Sequence, residues 1–199
     1  MSRAIRSAVV IALLALAGCG GAQTGSGAGD ADRLAPANLY PLAEGNVWSY
    51  NVAGGEGEVP TLEVRRVVSV EGPRVRVRSW GGEEVRFEMR PGGIYRAGYD
   101  VWLLKSPIRV GAEWPSASGR TARVVSVDEA IEVPAGRFED CVRVEERGGE
   151  AALAMATVYC PGVGPVYVES GMRAQLTDMD ARAVGRLLGY ELGPSVPAE

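Results

Sequence analysis

The sequence predicts a mainly β protein: a curved antiparallel sheet, an open barrel or a sandwich, with at most one short C-terminal helix. Three observations predict it. "RVRVRSW" (Arg74–Trp80) and "EEVRFEMR" (Glu83–Arg90) alternate polar and apolar residues with period two, the mark of half-buried strands. Turn-rich stretches, "NVAGGEGEVP", "EGP", "RPGG" and "VPAG", punctuate the chain between such segments. Many short strands at regular spacing favour a sandwich or a partly closed barrel.

The first strands justify themselves by register. Val75 and Val77 share one face of their strand, and Val85, Phe87 and Met89 share one face of the next. A loop of Gly81-Gly82 alone would set arginines beside the apolar row. A three-residue loop, Trp80–Gly82, pairs Val77 with Val85 and Val75 with Phe87, and sets Arg78 opposite Glu84 and Arg74 opposite Glu88. Register follows the buried face, so the three-residue loop is expected. Its cost is Arg76 facing Arg86.

Further strands are expected at Val47–Val52, Leu62–Val70, Gly93–Tyr99, Val101–Leu104, Arg120–Val127, Glu129–Val133, Cys141–Glu146, Leu153–Cys160, Val166–Ser170 and near Leu187–Leu192. "DMDARAVGRLLG" (Asp178–Gly189) is the one segment that reads as a short helix, with Asp178 as its cap and Gly185 as its weak point.

The ends of the chain read differently. Arg3 and Arg6 precede an apolar run, Ser7–Ala17, of eleven residues. That is too short to cross a hydrocarbon core of about 30 Å as a helix. With "LAGC" ending at Cys19 it fits a secretory signal, residues 1–18, and resembles a bacterial lipobox in which the Cys19 thiol is acylated. Gly20 stands where an aspartate would resemble an inner-membrane retention signal, which points to the outer membrane. Residues 19–33 hold almost no large apolar side chain and read as a flexible tether. Residues 34–193 form one domain, long enough at about 160 residues to bury roughly 70% of its unfolded surface. Residues 194–199 read as a tail.

Composition excludes several chemistries. Without residues 1–18 the chain has 19 basic and 25 acidic residues, a net charge of −6. That disfavours nucleic acid, whose phosphates need a basic face. The chain has no histidine, so the commonest general base and zinc ligand is missing, and serine–histidine and cysteine–histidine catalysis are excluded. Glu83-Glu84, Glu139-Asp140 and Glu145-Glu146 are adjacent pairs. Neighbours on a strand point to opposite faces, so none is a dyad by itself. No catalytic residue, metal site or cofactor is expected.

Cys141 and Cys160 remain after Cys19, an even pair in an oxidising compartment, which favours a disulfide. A hairpin loop of Gly149–Ala152 puts them directly opposite and faces Val142 and Val144 to Tyr159 and Thr157. A tighter Gly148-Gly149 loop would not. The stretch after Cys160, "PGVGPVYV", has two glycines but leads into β-alternating residues rather than a helix, so it lacks the amides of a phosphate loop. Pro161-Gly162 fits the centre of a type II turn.

Four stretches together, "YPLAEGNVWSY" from Tyr40, "SPIRVGAEW" from Ser106, "IEVPAGRFEDCVRVEE" from Ile131 and "YCPGVGPVYVE" from Tyr159, resemble an uncharacterised family of bacterial secreted and lipid-anchored proteins. The resemblance spans most of residues 34–193. It implies a curved antiparallel sheet, similar to the open barrels of periplasmic lipoprotein carriers, and brings no catalytic residues with it.

The sequence thus points to a non-enzymatic envelope lipoprotein, held in the membrane by its N-terminal lipid and binding a protein partner or an apolar ligand. A carboxylate-dependent hydrolase is the alternative from another class. Binding candidates are the arginine row Arg74, Arg76 and Arg78, which otherwise reads as a solvated face paired with Glu84 and Glu88, and Trp102 and Trp114, which with Trp48 and Trp80 otherwise read as core or rim anchors.

Overall fold

The computed structural model describes residues 26–54, 58–149, 153–173 and 180–193. Two short helices, α1 (Ser26–Arg33) and α2 (Pro36–Leu39), precede twelve strands. These are β1 (Val47–Ala53), β2 (Thr61–Glu71), β3 (Arg74–Ser79), β4 (Glu84–Arg90), β5 (Gly93–Arg96), β6 (Val101–Lys105), β7 (Glu113–Pro115), β8 (Arg120–Val133), β9 (Gly136–Gly148), β10 (Leu153–Cys160), β11 (Gly164–Arg173) and β12 (Asp180–Glu191). All pair antiparallel in a single sheet, ordered β6-β5-β4-β3-β2-β1-β12-β11-β10-β9-β8-β7.

That order explains the shape. Every strand but one pair lies beside its sequence neighbour, and β12 returns to close against β1. The two sheet edges, β6 and β7, are consecutive in sequence and meet at a seam, where Trp114 Nε1–H donates to the Trp102 carbonyl at 3.1 Å. The result is a nearly closed barrel, within the fold class the alternation predicts.

Two hairpins test the register argument. In the first, Val77 pairs with Val85, Val75 with Phe87, Arg78 with Glu84, Arg74 with Glu88 and Arg76 with Arg86, as expected. Ser79 N–H bonds to Glu83 C=O at 2.9 Å, leaving Trp80–Gly82 as the loop. In the second, Val142 faces Tyr159 and Val144 faces Thr157. Cys141 and Cys160 are bonded, with Cα atoms 4.3 Å apart. Residues 150–152 of that loop lie outside the described residues.

Three expectations need correction. The segment read as a helix, Asp178–Gly189, is strand β12 from Asp180 on; Asp178 itself lies outside the described residues. Here the sheet overrides local propensity, because β12 supplies hydrogen bonds to both β1 and β11 and buries Leu187 and Val184. The tether was expected to extend through residue 33, yet Ser26–Arg33 is helical. Its end is tied down by Arg33, whose Nη1 donates to Val127 C=O at 2.8 Å and Asp140 C=O at 2.9 Å, and by Leu34 packing against the core. Arg120–Val127 and Glu129–Val133 are one strand, bent at register shifts around Ser126 and Glu129.

One end of the barrel is plugged by the chain that follows α1. Leu39, Tyr40 and Leu42 are buried there. The Tyr40 ring meets Trp48 of β1 edge-on (centroids 5.2 Å), Phe87 of β4 (6.0 Å) and Tyr159 of β10 (6.4 Å), so one side chain ties three walls together. The same end holds the corner between β10 and β11. Val163 N–H bonds to Cys160 C=O at 3.1 Å, and Gly162 has φ +71°, the type II turn that Pro161-Gly162 predicts. Trp48 Nε1–H donates to Val163 C=O at 2.7 Å, and Tyr50 O–H to Pro165 C=O at 2.8 Å. A Cβ on Gly164 would lie 2.9 Å from Trp48 Nε1, so only glycine lets the indole approach. Two of the motif stretches, those beginning at Tyr40 and Tyr159, are therefore halves of one closure.

Candidate functional site

Above the plug the inner face changes character. Along β9 the inner row runs Val142, Val144, Glu146; along β10 it runs Tyr159, Thr157, Met155. On β2 it runs Val67, Arg65, Glu63, facing Val77 and Ser79 of β3 and Trp48 and Tyr50 of β1. On β5 Arg96 stands opposite Phe87. These rows enclose a cavity of about 560 Å³, which runs from Tyr40 and Tyr159 to the exposed β3–β4 turn at Gly81 and Glu83. Val77, Val85, Phe87, Leu103, Met155, Pro165 and Val168 supply its apolar surface.

The polar groups of the lumen fall into sets. Arg65 Nε bonds to Glu63 Oε1 at 2.6 Å. Burial opposes the Arg65 charge, but Tyr40, Tyr50 and Glu63 around it prevail and hold its pKa above the ordinary arginine value. Glu146 is engaged from outside the cavity by Arg120 Nε at 3.1 Å and by the Ser116 hydroxyl. Both of those are buried; Ser116 lies between β7 and β8, and Arg120 begins β8. Tyr40, Tyr50 and Tyr159 all have hydroxyl pKa values pushed up, first by burial; Glu146 adds to this at Tyr159, while Arg96 pulls Tyr40 and Tyr159 the other way. Arg96 differs from the rest. Its Nε is buried and has no hydrogen-bond partner, and no carboxylate pairs with it among the described residues.

The sequence-based candidates lie elsewhere. Arg74, Arg76 and Arg78 are on the outer face of β3. Arg78 bonds to Glu84 across the hairpin at 2.5 Å, and Arg76 bonds to the Ser69 hydroxyl at 2.8 Å and lies 3.8 Å from Glu84, whereas Glu88 pairs with Arg90 at 2.6 Å and not with Arg74. Trp102 and Trp114 seal the seam and do not line the cavity. Trp114 is buried beside Ala122, and Trp102 meets Tyr95 edge-on at 5.3 Å. Trp48 is core and Trp80, 80% exposed, is at the rim. Cys19 lies outside the described residues. Sequence reading missed Glu63, Arg65, Arg96, Glu146 and Tyr159. A signal was there: each charged residue continues an apolar row at the same strand parity, as Glu146 continues Val142 and Val144.

Fold and site together define a class: a plugged, nearly closed antiparallel barrel with a polar and aromatic lumen. No protein-family model and no curated protein matches the chain. Among solved structures, it is similar to a candidate lipoprotein of Parabacteroides distasonis ATCC 8503, with 15% identity and a TM-score of 0.45. It is similar also to a candidate exported protein of Bacteroides fragilis NCTC 9343 described as having a YmcC-like fold, with 14% identity and a TM-score of 0.48. Each similarity covers 77% of this chain and 98% of the other. No residue or role is carried across from likeness at this level.

Proposed function

We propose that the chain is a lipid-anchored cell-envelope protein whose barrel is a non-enzymatic binding domain, with the lumen above Tyr40 as its ligand site. One observation carries this reading: a cavity of about 560 Å³, closed at one end, in which a few polar groups converge among apolar and aromatic walls. That is the usual form and size of a small-molecule site. The two inner-row glutamates, Glu63 and Glu146, are already engaged by Arg65 and Arg120, which speaks against the carboxylate hydrolase. The polar groups also move the expectation away from a purely apolar ligand, toward a molecule with both kinds of surface. The lipobox-like "LAGC" supports the anchoring.

The test is titration of the full-length protein with naphthoate, followed by the probe's fluorescence. Saturable binding of one probe per chain is expected, lost when Thr157→Trp fills the lumen while circular dichroism stays unchanged. Absence of binding, or binding that survives the filled lumen, would overturn the reading. Anchoring is checked separately: Cys19→Ala should abolish palmitate labelling.

A further inference from the structure

We infer that the lumen recognises an anionic oxygen group, a carboxylate or a phosphate, and that Arg96 is the residue that receives it. This rests on the lumen being the ligand site. The lumen's charges lead there by elimination. Arg65 is matched by Glu63 at 2.6 Å, and Glu146 is matched by Arg120 at 3.1 Å. Glu83 stands out at the exposed β3–β4 turn. Arg96 is left as a cavity-lining cation that no described carboxylate matches.

Its setting has the form of a receptor and not of a surface charge. The guanidinium lies over the Tyr99 ring, with Cζ 4.3 Å from the centroid, a contact that uses none of its N–H donors. Its Nε is buried without a partner, a condition that costs free energy unless something satisfies it. Tyr40 and Tyr159 line the same cavity. An oxyanion in the lumen would accept from a planar fork of N–H groups, while Phe87, Leu103 and Met155 take the apolar remainder. The surrounding chain is acidic overall, so an isolated unmatched cation inside it is a selective feature and not part of a general basic surface.

The experiment compares naphthoate with naphthamide, its neutral isostere, and with naphthyl phosphate, on the full-length protein. Naphthoate is expected to bind about tenfold more tightly than naphthamide, as one charge-assisted pair would give. Arg96→Gln should erase that gap by weakening naphthoate more than naphthamide, and Arg96→Lys should restore part of it. A further gain for naphthyl phosphate would assign the group to phosphate; its absence would assign it to carboxylate. If naphthoate and naphthamide bind equally, the anion inference fails and the lumen reading stands. If neither binds, the lumen reading itself fails. If the gap survives in Arg96→Gln, the anion is held by another residue and the assignment to Arg96 is wrong. The wild-type comparison needs no variant, so it holds even if Arg96→Gln does not fold.

Discussion

The two ends of the barrel are built from the same strands and obey opposite rules. At the plugged end large side chains pack closely. Trp48, Leu39 and Val166 are fully buried, and the indole and phenol groups find backbone carbonyls at 2.7 and 2.8 Å. Toward the other end the same rows continue as Arg65, Glu63, Glu146 and Thr157, and space is left between them. A packed end stabilises the fold. An end with charges and a void costs stability, and such departures from local consistency are expected where a protein keeps a site. The comparison predicts that substitutions at the plug act on stability and substitutions in the lumen act on binding.

The largest effect should come from the plug. Trp48→Ala removes a fully buried indole and its bond to Val163, and about 3–5 kcal/mol should be lost in denaturant unfolding. Cys141→Ser comes next. Opening a loop whose ends are 19 residues apart should cost about 3 kcal/mol and produce a shift on a non-reducing gel. A fall well under 1 kcal/mol in either variant would mean that the plugged end is not where stability resides.

Alkaline pH should separate the ends next. The pKa values of Tyr40, Tyr50 and Tyr159 are raised above the ordinary value of 10.0, chiefly by burial. For a group whose folded pKa is raised, the stabilising contribution is complete below the unfolded pKa and is lost as pH climbs toward the folded pKa. Stability should therefore be level up to about pH 10 and fall beyond it, with tyrosinate absorbance appearing together with loss of circular dichroism. Tyr159→Phe should move that loss to higher pH. Early tyrosinate absorbance with the fold intact would place these hydroxyls in contact with bulk water.

The smallest effects on stability belong to charges outside the plug. Arg96→Gln should change unfolding by less than about 1 kcal/mol, since it removes an unmatched charge and no pair. Arg78→Gln on the outer face should leave Tm unchanged, because Arg78 is half exposed and such pairs add little. If Arg78→Gln weakened binding of naphthoate as Arg96→Gln should, the distinction between inner and outer arginines would collapse.

Much of the fold was legible because alternation is a local property. Val75, Val77, Val85 and Phe87 select one register among neighbouring alternatives, since a slip of one residue exposes the entire row. The disulfide was legible in the even cysteine pair left after Cys19, and the bond in turn selects the loop length that sets Cys141 opposite Cys160. β12 was misread because Asp180–Gly189 has weak preferences of its own, and two neighbouring strands impose its form. The lumen was hidden for a related reason. A charged residue on an apolar row reads as a blemish in one strand; it becomes a site only when several such rows face one another.

By itself, then, the sequence determined most strands other than β7 and β12, the register of the β3–β4 hairpin, the turn at Pro161-Gly162 and the cysteine pair, all of which depend on residues close in the chain, on parity between adjacent hairpin arms or on cysteine count. Tertiary structure alone decided that β12 would close on β1, that Tyr40 would plug one end, and that Arg65, Arg96, Glu146 and Tyr159 would share a cavity. Those contacts join residues far apart in sequence, and their geometry depends on the curvature of the whole sheet, a quantity that no single stretch of chain specifies.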